Sequence, residues 1–166
     1  MTFPPKLDSI DLRITTWMAR HGITLTRIAL GIVFLWFGII KFVPTWSPAA
    51  ELATRTIECL TVGLVPPALS LPLLAAWESL IGIGLLTGRY LRATLFLLFA
   101  QMPGTLTPLV LFPDETFRAF PYAPTLEGQY IIKNLVLIGA AIVVGATVRG
   151  GQLQAAASGA ADLRAT

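Results

Sequence analysis

One carboxylate interrupts a long apolar stretch of the sequence. Glu78 stands within LLAAWESLIGIGLL, residues 73–86, where Leu, Ile, Ala and Gly predominate. Charged side chains inside membrane spans are costly, and they generally face the interior of the bundle and pair with a partner. An unpaired buried carboxylate tends to become protonated instead. Glu78 is therefore a candidate for holding helices in register, carrying a proton or binding a small ligand.

The candidate partners of Glu78 follow from estimated depth. Glu78 lies ten residues before Gly88, or roughly 15 Å from that helix end, and Arg27 lies roughly 8 Å from the same side. A guanidinium can extend across that gap, so Arg27 is the predicted counter-ion. Gln101 reaches the depth of Glu78 from the neighbouring antiparallel helix.

A second polar layer is predicted on the opposite side of the bundle, from Lys41, Lys133 and Asn134. Arg27, Gly31, Gly38 and Lys41 share one face of a helix, and small residues allow helices to approach closely, so this stripe should face the interior. The alternative for Lys41 is an interfacial anchor that extends to the headgroups.

An apolar pocket beside Glu78 is a further expectation. Its predicted lining consists of three aromatic residues and the proline of the third span: Trp36, Trp77, Phe99 and Pro103. Proline removes a backbone hydrogen bond and should kink or open the helix. Within a membrane, such a break persists beside a cavity or a protein partner.

The chain has few residues that could support metal or thiol chemistry. The chain has one cysteine, Cys59, and one histidine, His21. An internal disulfide and a C-x-x-C centre are therefore excluded, and no His/Cys metal cluster can form. No metal and no intrinsic cofactor are expected, and Cys59 is predicted to be partly buried and inert.

These residues are positioned by long apolar segments. The chain is 55% hydrophobic and 13% charged, and segments near 20 apolar residues cross a bilayer as helices. The predicted spans are 23–43, 67–87, 91–112 and 130–148, within a domain of residues 23–148. The expected fold is an all-α integral membrane four-helix bundle in a lipid bilayer. No basic soluble face is present, so nucleic-acid binding is not expected.

The basic residues predict the orientation. Eight lie on the side of both termini and four lie on the opposite side, so both termini are predicted in the cytoplasm. The eight are Lys6, Arg13, Arg20, Arg27, Arg89, Arg92, Arg149 and Arg164, and the four are Lys41, Arg55, Arg118 and Lys133.

The flanking segments have patterns of their own. Residues 1–22 carry an apolar stripe at helical spacing, which predicts an amphipathic interfacial helix, with a solvated disordered tail as the alternative. Residues 44–66 should hold a short helix on the outer surface. Residues 149–166 lack apolar bulk and are predicted to form a flexible cytoplasmic tail.

Three stretches carry a resemblance to a known family. RIALGIVFLWFGIIKF, WESLIGIGLLTGRYLRA and EGQYIIKNLVLIGAAIVV follow one another in the order typical of the DoxX-like superfamily, and GQYIIKNLVLIGAA most resembles its reactive-chlorine-resistance branch. The resemblance covers residues 23–148. It implies a four-helix protein of the bacterial cytoplasmic (inner) membrane, with relatives in thiosulfate:quinone oxidoreduction and oxidative-stress defence. The family positions are Arg27, Lys41, Glu78, Lys133 and Asn134.

Three functional hypotheses stay open on this reading. The first is a membrane subunit in redox or thiol-stress homeostasis that binds a quinone or another small molecule inside the bundle, and whether it is itself an enzyme is open. The second is a non-catalytic anchor that recruits soluble redox enzymes. The third is a small-solute or proton transporter acting as a homo-oligomer.

Overall fold

A computed structural model describes residues 5–47 and 50–154 of the chain. Four helical segments in this part are long and apolar enough to cross a membrane: Leu7–Ile40, Pro67–Thr87, Leu91–Leu111 and Leu126–Ala146. The prediction of an all-α membrane bundle is confirmed. The predicted flexible tail falls largely on residues 155–166, outside the described residues.

The helices follow the chain in a simple order. They are α1 Pro5–Ile40, α2 Ala50–Leu60, α3 Pro67–Thr87, α4 Leu91–Leu106, α5 Pro108–Leu111, α6 Pro113–Thr116, α7 Leu126–Ile132 and α8 Asn134–Ala146. A 3₁₀ turn, Pro44–Trp46, follows α1. Strands β1 Phe117–Ala119 and β2 Ala123–Pro124 form a small antiparallel hairpin that pairs Phe117 with Pro124.

The first helix is longer than its predicted span. It runs without interruption from Pro5 to Ile40, so residue 22, the predicted boundary of the interfacial segment, is not a helix end. The reason is local: the segment 6–40 has no proline, and a single glycine such as Gly22 costs a helix only about 1 kcal/mol. About half of α1 therefore extends past the four-helix bundle as a continuation of the first span.

Two ends of the bundle can be distinguished. At one end, which we call the turn end, residues 88–90 join α3 to α4. Gly88 is in the left-handed conformation there, with φ +67°, and closes α3 through a hydrogen bond from its amide to Gly84 O. This is the helix stop that the sequence predicts. At the opposite end, the loop end, the β-hairpin joins α6 to α7.

The third span is interrupted later than expected. Helix α4 runs through Pro103 to Leu106, and α5 begins at Pro108. Pro103 is inside the helix, and the regular helix breaks instead at Thr107. Pro108 has no amide proton to donate to the carbonyl four residues earlier, which explains an interruption at this point.

Helices α1 and α3 are in backbone contact through glycines. A Cβ on Gly38 would lie 2.7 Å from the amide nitrogen of Ser79, and a Cβ on Gly82 would lie 2.5 Å from that of Leu35. Gly31 likewise faces Leu86. The prediction that Gly31 and Gly38 face the bundle is confirmed, and these contacts fix the antiparallel register of the two helices.

The apolar core lies between α1, α3, α4 and α8. Its buried members are Leu30, Phe34, Ile81, Leu85, Leu95, Leu98, Met102, Ala141 and Val144. Many other large apolar side chains on these helices are exposed in the isolated chain, as expected of surfaces that face lipid. The core therefore fixes the four spans around α3.

Candidate functional site

The register of α1 against α3 decides where the polar side chains meet. Gly38 lies against Ser79, so α1 ends at Ile40 beside the middle of α3. Glu78 is eleven residues from the start of α3 at Pro67 and nine from its end at Thr87. At 1.5 Å per residue, α3 continues roughly 15 Å beyond the last turn of α1. The chain that follows α1 includes α2, which also packs against α3.

Lys41 and Glu78 form a buried ion pair at the end of α1. The distance between Lys41 Nζ and Glu78 Oε2 is 2.6 Å, and the two side chains are 13% and 11% exposed. Gln101 Nε2 donates a hydrogen bond of 2.8 Å to the other carboxylate oxygen, Glu78 Oε1. Three helices thus contribute one group each to what we call the Glu78 cluster: Lys41, Glu78 and Gln101.

Lys41 also closes the end of its own helix. Its ammonium donates a hydrogen bond of 3.2 Å to the carbonyl of Phe37, one of the last carbonyls of α1, which lack partners within the helix. A cation near a helix C-terminus is favoured by the helix dipole. The same ammonium group therefore neutralises Glu78 and completes the end of α1 inside the bundle.

Two polar atoms next to the Glu78 cluster are buried without a partner. They are Ser79 Oγ and Gln101 Oε1. Buried polar atoms are nearly always hydrogen-bonded, and each exception calls for an explanation. Ser79 was not among the residues predicted from the sequence. Its place directly after Glu78 was the available signal, whereas its position opposite Gly38 appears only in the structure.

The predicted pairing of Arg27 with Glu78 is wrong. Arg27 Nη1 donates hydrogen bonds to the carbonyls of Leu85 and Leu86, the second at 3.1 Å. These carbonyls belong to the last turn of α3, and Arg27 also lies against Gly88. The depth estimate failed because the first span was treated as crossing the whole bilayer, whereas α1 is shifted toward the turn end and brings Lys41 to Glu78 instead.

Lys133 and Asn134 lie apart from the Glu78 cluster. Lys133 is exposed and has its ammonium 5.2 Å from the ring centroid of Tyr130. Asn134 Nδ2 donates a hydrogen bond of 3.3 Å to the carbonyl of Tyr130. The structure therefore splits the predicted second polar layer: Lys41 joins Glu78, while Lys133 and Asn134 contact Tyr130 where α7 meets α8.

The four predicted pocket residues lie toward the surface of the bundle. Trp36 is 67% exposed, and Trp77 and Phe99 are exposed to a lesser degree. Pro103 is also exposed. Trp77 is oriented by a hydrogen bond of 3.1 Å from its Nε1 to the carbonyl of Leu97. In the isolated chain these side chains border the helix surfaces outside the Glu78 cluster rather than enclosing it.

Two cavities lie at the turn end and not at the Glu78 cluster. One has a volume of about 340 Å³ and is lined by residues of α1 between Leu12 and His21. The other, of about 520 Å³, lies between α1, the start of α4 and the chain after α8. Neither of these two cavities is lined by Glu78.

The loop end is held by an exposed ion pair. Arg55 Nη1 of α2 lies 2.8 Å from Glu115 Oε1 of α6, and its guanidinium stacks 4.4 Å from the ring centroid of Phe112. Cys59, one turn after Arg55, is a free and exposed thiol. The prediction of a partly buried Cys59 is wrong, because the buried face of α2 is formed by Leu52 and Thr56.

The donor set of the Glu78 cluster limits its chemistry. One ammonium, one carboxylate and one amide can bind hydrogen-bonding groups and can hold a proton between them. Within residues 5–47 and 50–154, no group of three or more His, Cys, Asp or Glu side chains is placed to hold a metal ion. The cluster thus presents ion-pairing and hydrogen-bonding groups in an apolar surrounding.

Comparison with known protein families identifies a match that covers the Glu78 cluster. The family model described as DoxX matches residues 22–112, more than half of the chain. This range contains α1 from Gly22 onward, α2, α3, α4 and α5, and therefore all three residues of the Glu78 cluster. No curated protein and no solved structure matches the chain.

Proposed function

The chain belongs to the DoxX family, and from this premise we propose that it is a membrane subunit in redox or thiol-stress homeostasis that binds a small molecule at the Glu78 cluster. A quinone is the ligand class that fits best, because its carbonyl oxygens accept hydrogen bonds and its hydroquinone form donates them. The ring itself suits an apolar surrounding.

The observation that carries this proposal is the unpartnered side-chain oxygen of Gln101 at the cluster. Ser79 Oγ and Gln101 Oε1 are buried and make no hydrogen bond, while Lys41 and Gln101 Nε2 already occupy the two carboxylate oxygens of Glu78. A ligand with one hydroxyl group could donate to Gln101 Oε1, whereas Ser79 Oγ is packed against Gly38 in the contact between α1 and α3. Leaving such atoms buried without a partner costs about 1–3 kcal/mol each.

The entry route is expected between α3 and α4. Trp77 is exposed on α3 directly before Glu78 in the chain, and Gln101 stands on α4, so a ring lying against Trp77 would be close to the cluster. A hydrophobic ligand would reach this route from the bilayer.

The test is equilibrium binding of a short-chain benzoquinone to the purified full-length protein in lipid nanodiscs. We expect saturable binding by the native chain and at least tenfold weaker binding by Glu78→Gln and Gln101→Leu. Glu127→Gln is the matched control, because Glu127 is an exposed carboxylate on α7 and the substitution makes the same chemical change away from the cluster. Near-ultraviolet circular dichroism checks that each variant is folded.

Equal quinone binding by the native chain and Glu78→Gln would remove the cluster as the site. If no quinone binds and a soluble redox enzyme co-purifies with the protein in mild detergent, the anchor hypothesis replaces this proposal. The two outcomes are separable, because the first is measured with the pure protein and the second with its native membrane.

Transport is a second candidate that one observation favours. Helix α1 ends beside the middle of α3, and the ion pair of Lys41 and Glu78 stands at that end. Helices broken within the membrane, with charged groups at the break, are typical of ion and solute sites in transporters. Proton flux into protein-containing liposomes under an imposed pH gradient, absent with Glu78→Gln, would support it, whereas no flux above that of empty liposomes would exclude it.

The bacterial cytoplasmic membrane with both termini inside is the proposed location. The excess of Lys and Arg on the side of the termini supports it, because cytoplasmic segments carry more basic residues. The turn end would then face the cytoplasm and the loop end the outside. The site for a quinone would lie roughly halfway across the bilayer.

A further inference from the structure

A cavity lined by arginines lies at the turn end, far from the Glu78 cluster. It has a volume of about 520 Å³. The charged members of its lining are Arg20 and Arg27. The rest of the lining includes Ile23, Thr24, Leu91, Thr147, Gln152 and Leu153. No carboxylate contributes to the lining, so the electrostatic potential inside is positive.

The arginines belong to a stripe along α1. Arg13, Arg20 and Arg27 are spaced seven residues apart, so they lie on one side of the helix about 10 Å from one another. Arg13 and Arg20 also line the neighbouring cavity of about 340 Å³. In the described part of the chain there are two ion pairs, Lys41–Glu78 and Arg55–Glu115, and neither neutralises this stripe.

Arg27 still has donors available for a ligand. Its Nη1 is occupied by the carbonyls of Leu85 and Leu86. A guanidinium has five N–H groups, so Nε and Nη2 are free to donate. The contact with α3 holds the guanidinium in place, and a held donor loses less entropy on binding. Arg20 is exposed and approaches the same cavity from two turns away.

The rest of the lining suits a molecule with both polar and apolar parts. Ile23, Leu91 and Leu153 supply apolar surface, while Thr24 and Gln152 supply hydrogen-bonding groups. The cavity lies where α1 leaves the bundle, α4 begins and α8 has ended, and the proposed orientation puts this level at a membrane–water boundary. Trp17, next to it on the smaller cavity and stacked 5.0 Å from His21, is a residue type enriched at that boundary.

We propose that this cavity binds the phosphate group of an anionic phospholipid from the adjoining leaflet, with Arg27 and Arg20 as its ligands. Arginine binds phosphate oxygens through two parallel hydrogen bonds, which sets it apart from lysine as a headgroup ligand. Basic pockets between transmembrane helices on the cytoplasmic side are where anionic headgroups bind. The glycerol and the first acyl carbons would contact Ile23 and Leu91.

The lipid source is favoured over a soluble phosphate by the surroundings of the cavity. The exposed apolar side chains Val143 and Val136 lie four and eleven residues before Thr147 on the same face of α8, and so continue from this level toward the middle of the bundle. An acyl chain can follow them, whereas a free phosphate ion gains nothing from them. The site would tie the long extension of α1 to the leaflet surface at the point where it leaves the bundle.

The experiment is titration of the purified full-length protein in mild detergent with dioctanoyl phosphatidylglycerol, read by native mass spectrometry. Dioctanoyl phosphatidylcholine is the zwitterionic comparison. We expect one phosphatidylglycerol to bind preferentially to the native chain, and roughly tenfold weaker binding by Arg20→Gln, because a charge-assisted hydrogen bond is lost. Arg89→Gln is the matched control, since Arg89 is exposed at the same end and lines neither cavity.

Several results would overturn the proposal. Equal binding of the two lipids would remove the preference for an anionic headgroup. Equal losses in Arg20→Gln and Arg89→Gln would show attraction to the general basic surface and not to this cavity. Displacement of phosphatidylglycerol by millimolar inorganic phosphate would assign the site to a soluble anion. Arg27→Gln is kept for confirmation only, because Arg27 also holds the end of α3.

Discussion

Substitution of either partner in the buried ion pair should strongly destabilise the protein. Lys41 Nζ and Glu78 Oε2 are 2.6 Å apart, so their attraction at an effective dielectric constant of about 20 is roughly 6 kcal/mol. Desolvation of each ion offsets several kcal/mol of this, and the net value of a buried pair is therefore small. Removal of one partner is different, because it leaves the other charge buried, at a cost of about 3–5 kcal/mol.

A double-mutant cycle separates these two effects. We expect Lys41→Met and Glu78→Gln each to lower the free energy of unfolding by about 3–5 kcal/mol. The double variant should lose only about 1–3 kcal/mol, because it has no uncompensated charge and leaves mainly one amide group short of a partner. Glutamine at position 78 retains an oxygen for Gln101 Nε2, so the cycle reports mainly on the charges.

The assay is reversible unfolding of the purified protein by sodium dodecyl sulfate in mixed micelles. The exposed pair of Arg55 and Glu115, with side chains 40% and 44% exposed, is the internal comparison. Its coupling energy should stay below about 1 kcal/mol, as is usual for surface pairs. If the losses of unfolding free energy in Lys41→Met and Glu78→Gln simply add in the double variant, the two side chains are not coupled as described. Losses no larger than those at the exposed pair would likewise refute a buried ion pair.

Three further predictions follow from other contacts. Gly82→Ala should lower the free energy of unfolding by about 1–3 kcal/mol, because the added Cβ would meet the backbone of α1. Gly139→Ala should instead stabilise α8 by up to about 1 kcal/mol, because no atom lies within 4 Å of the added Cβ. Equal effects of the two substitutions in the same unfolding assay would contradict this packing. Arg27→Gln should lower the free energy of unfolding by about 1.5–3 kcal/mol. This loss should add to that of Glu78→Gln in the double variant, because the two side chains do not touch. A strongly non-additive loss would indicate that Arg27 pairs with Glu78 after all. Cys59, the single thiol of the chain, should react with a membrane-impermeant maleimide added outside intact spheroplasts. Cys59→Ser is the control. Labelling that occurs only after lysis would show that the orientation is the reverse of the one proposed.

The number and type of the main elements could be predicted from composition and periodicity. The scarcity of charge and the length of the apolar segments require helices that satisfy their own backbone groups in lipid. The Gly31 and Gly38 stripe predicts a close helix contact, because only small residues on one face permit it. Glu78 was identified as a buried and partnered carboxylate for a similar reason: an unpaired charge at that position would be too costly.

The identity of the partner depended on the tertiary structure. The sequence contains basic residues on both sides of Glu78 in depth, Arg27 and Lys41, and either side chain is long enough to reach a carboxylate. Which one does so is decided by how far α1 slides along α3, and that shift is set by where Gly38 and Gly82 allow backbones to touch. A different offset of α1 along α3 would leave the helix propensity of each residue and the spacing of residues unchanged. The sequence therefore does not show which offset occurs.

The sequence by itself therefore determined a membrane bundle with a charged interior. Long apolar segments must be placed in lipid, and a charge inside them must be neutralised, and both requirements can be read from residue types alone. Only the folded chain decided that Lys41 pairs with Glu78, that Arg27 closes α3 and lines a cavity, and that Ser79 and Gln101 present unpartnered atoms. Those outcomes depend on the relative position of separate helices to within a few ångströms. Packing between them, and not the order of residues along any one of them, sets that position.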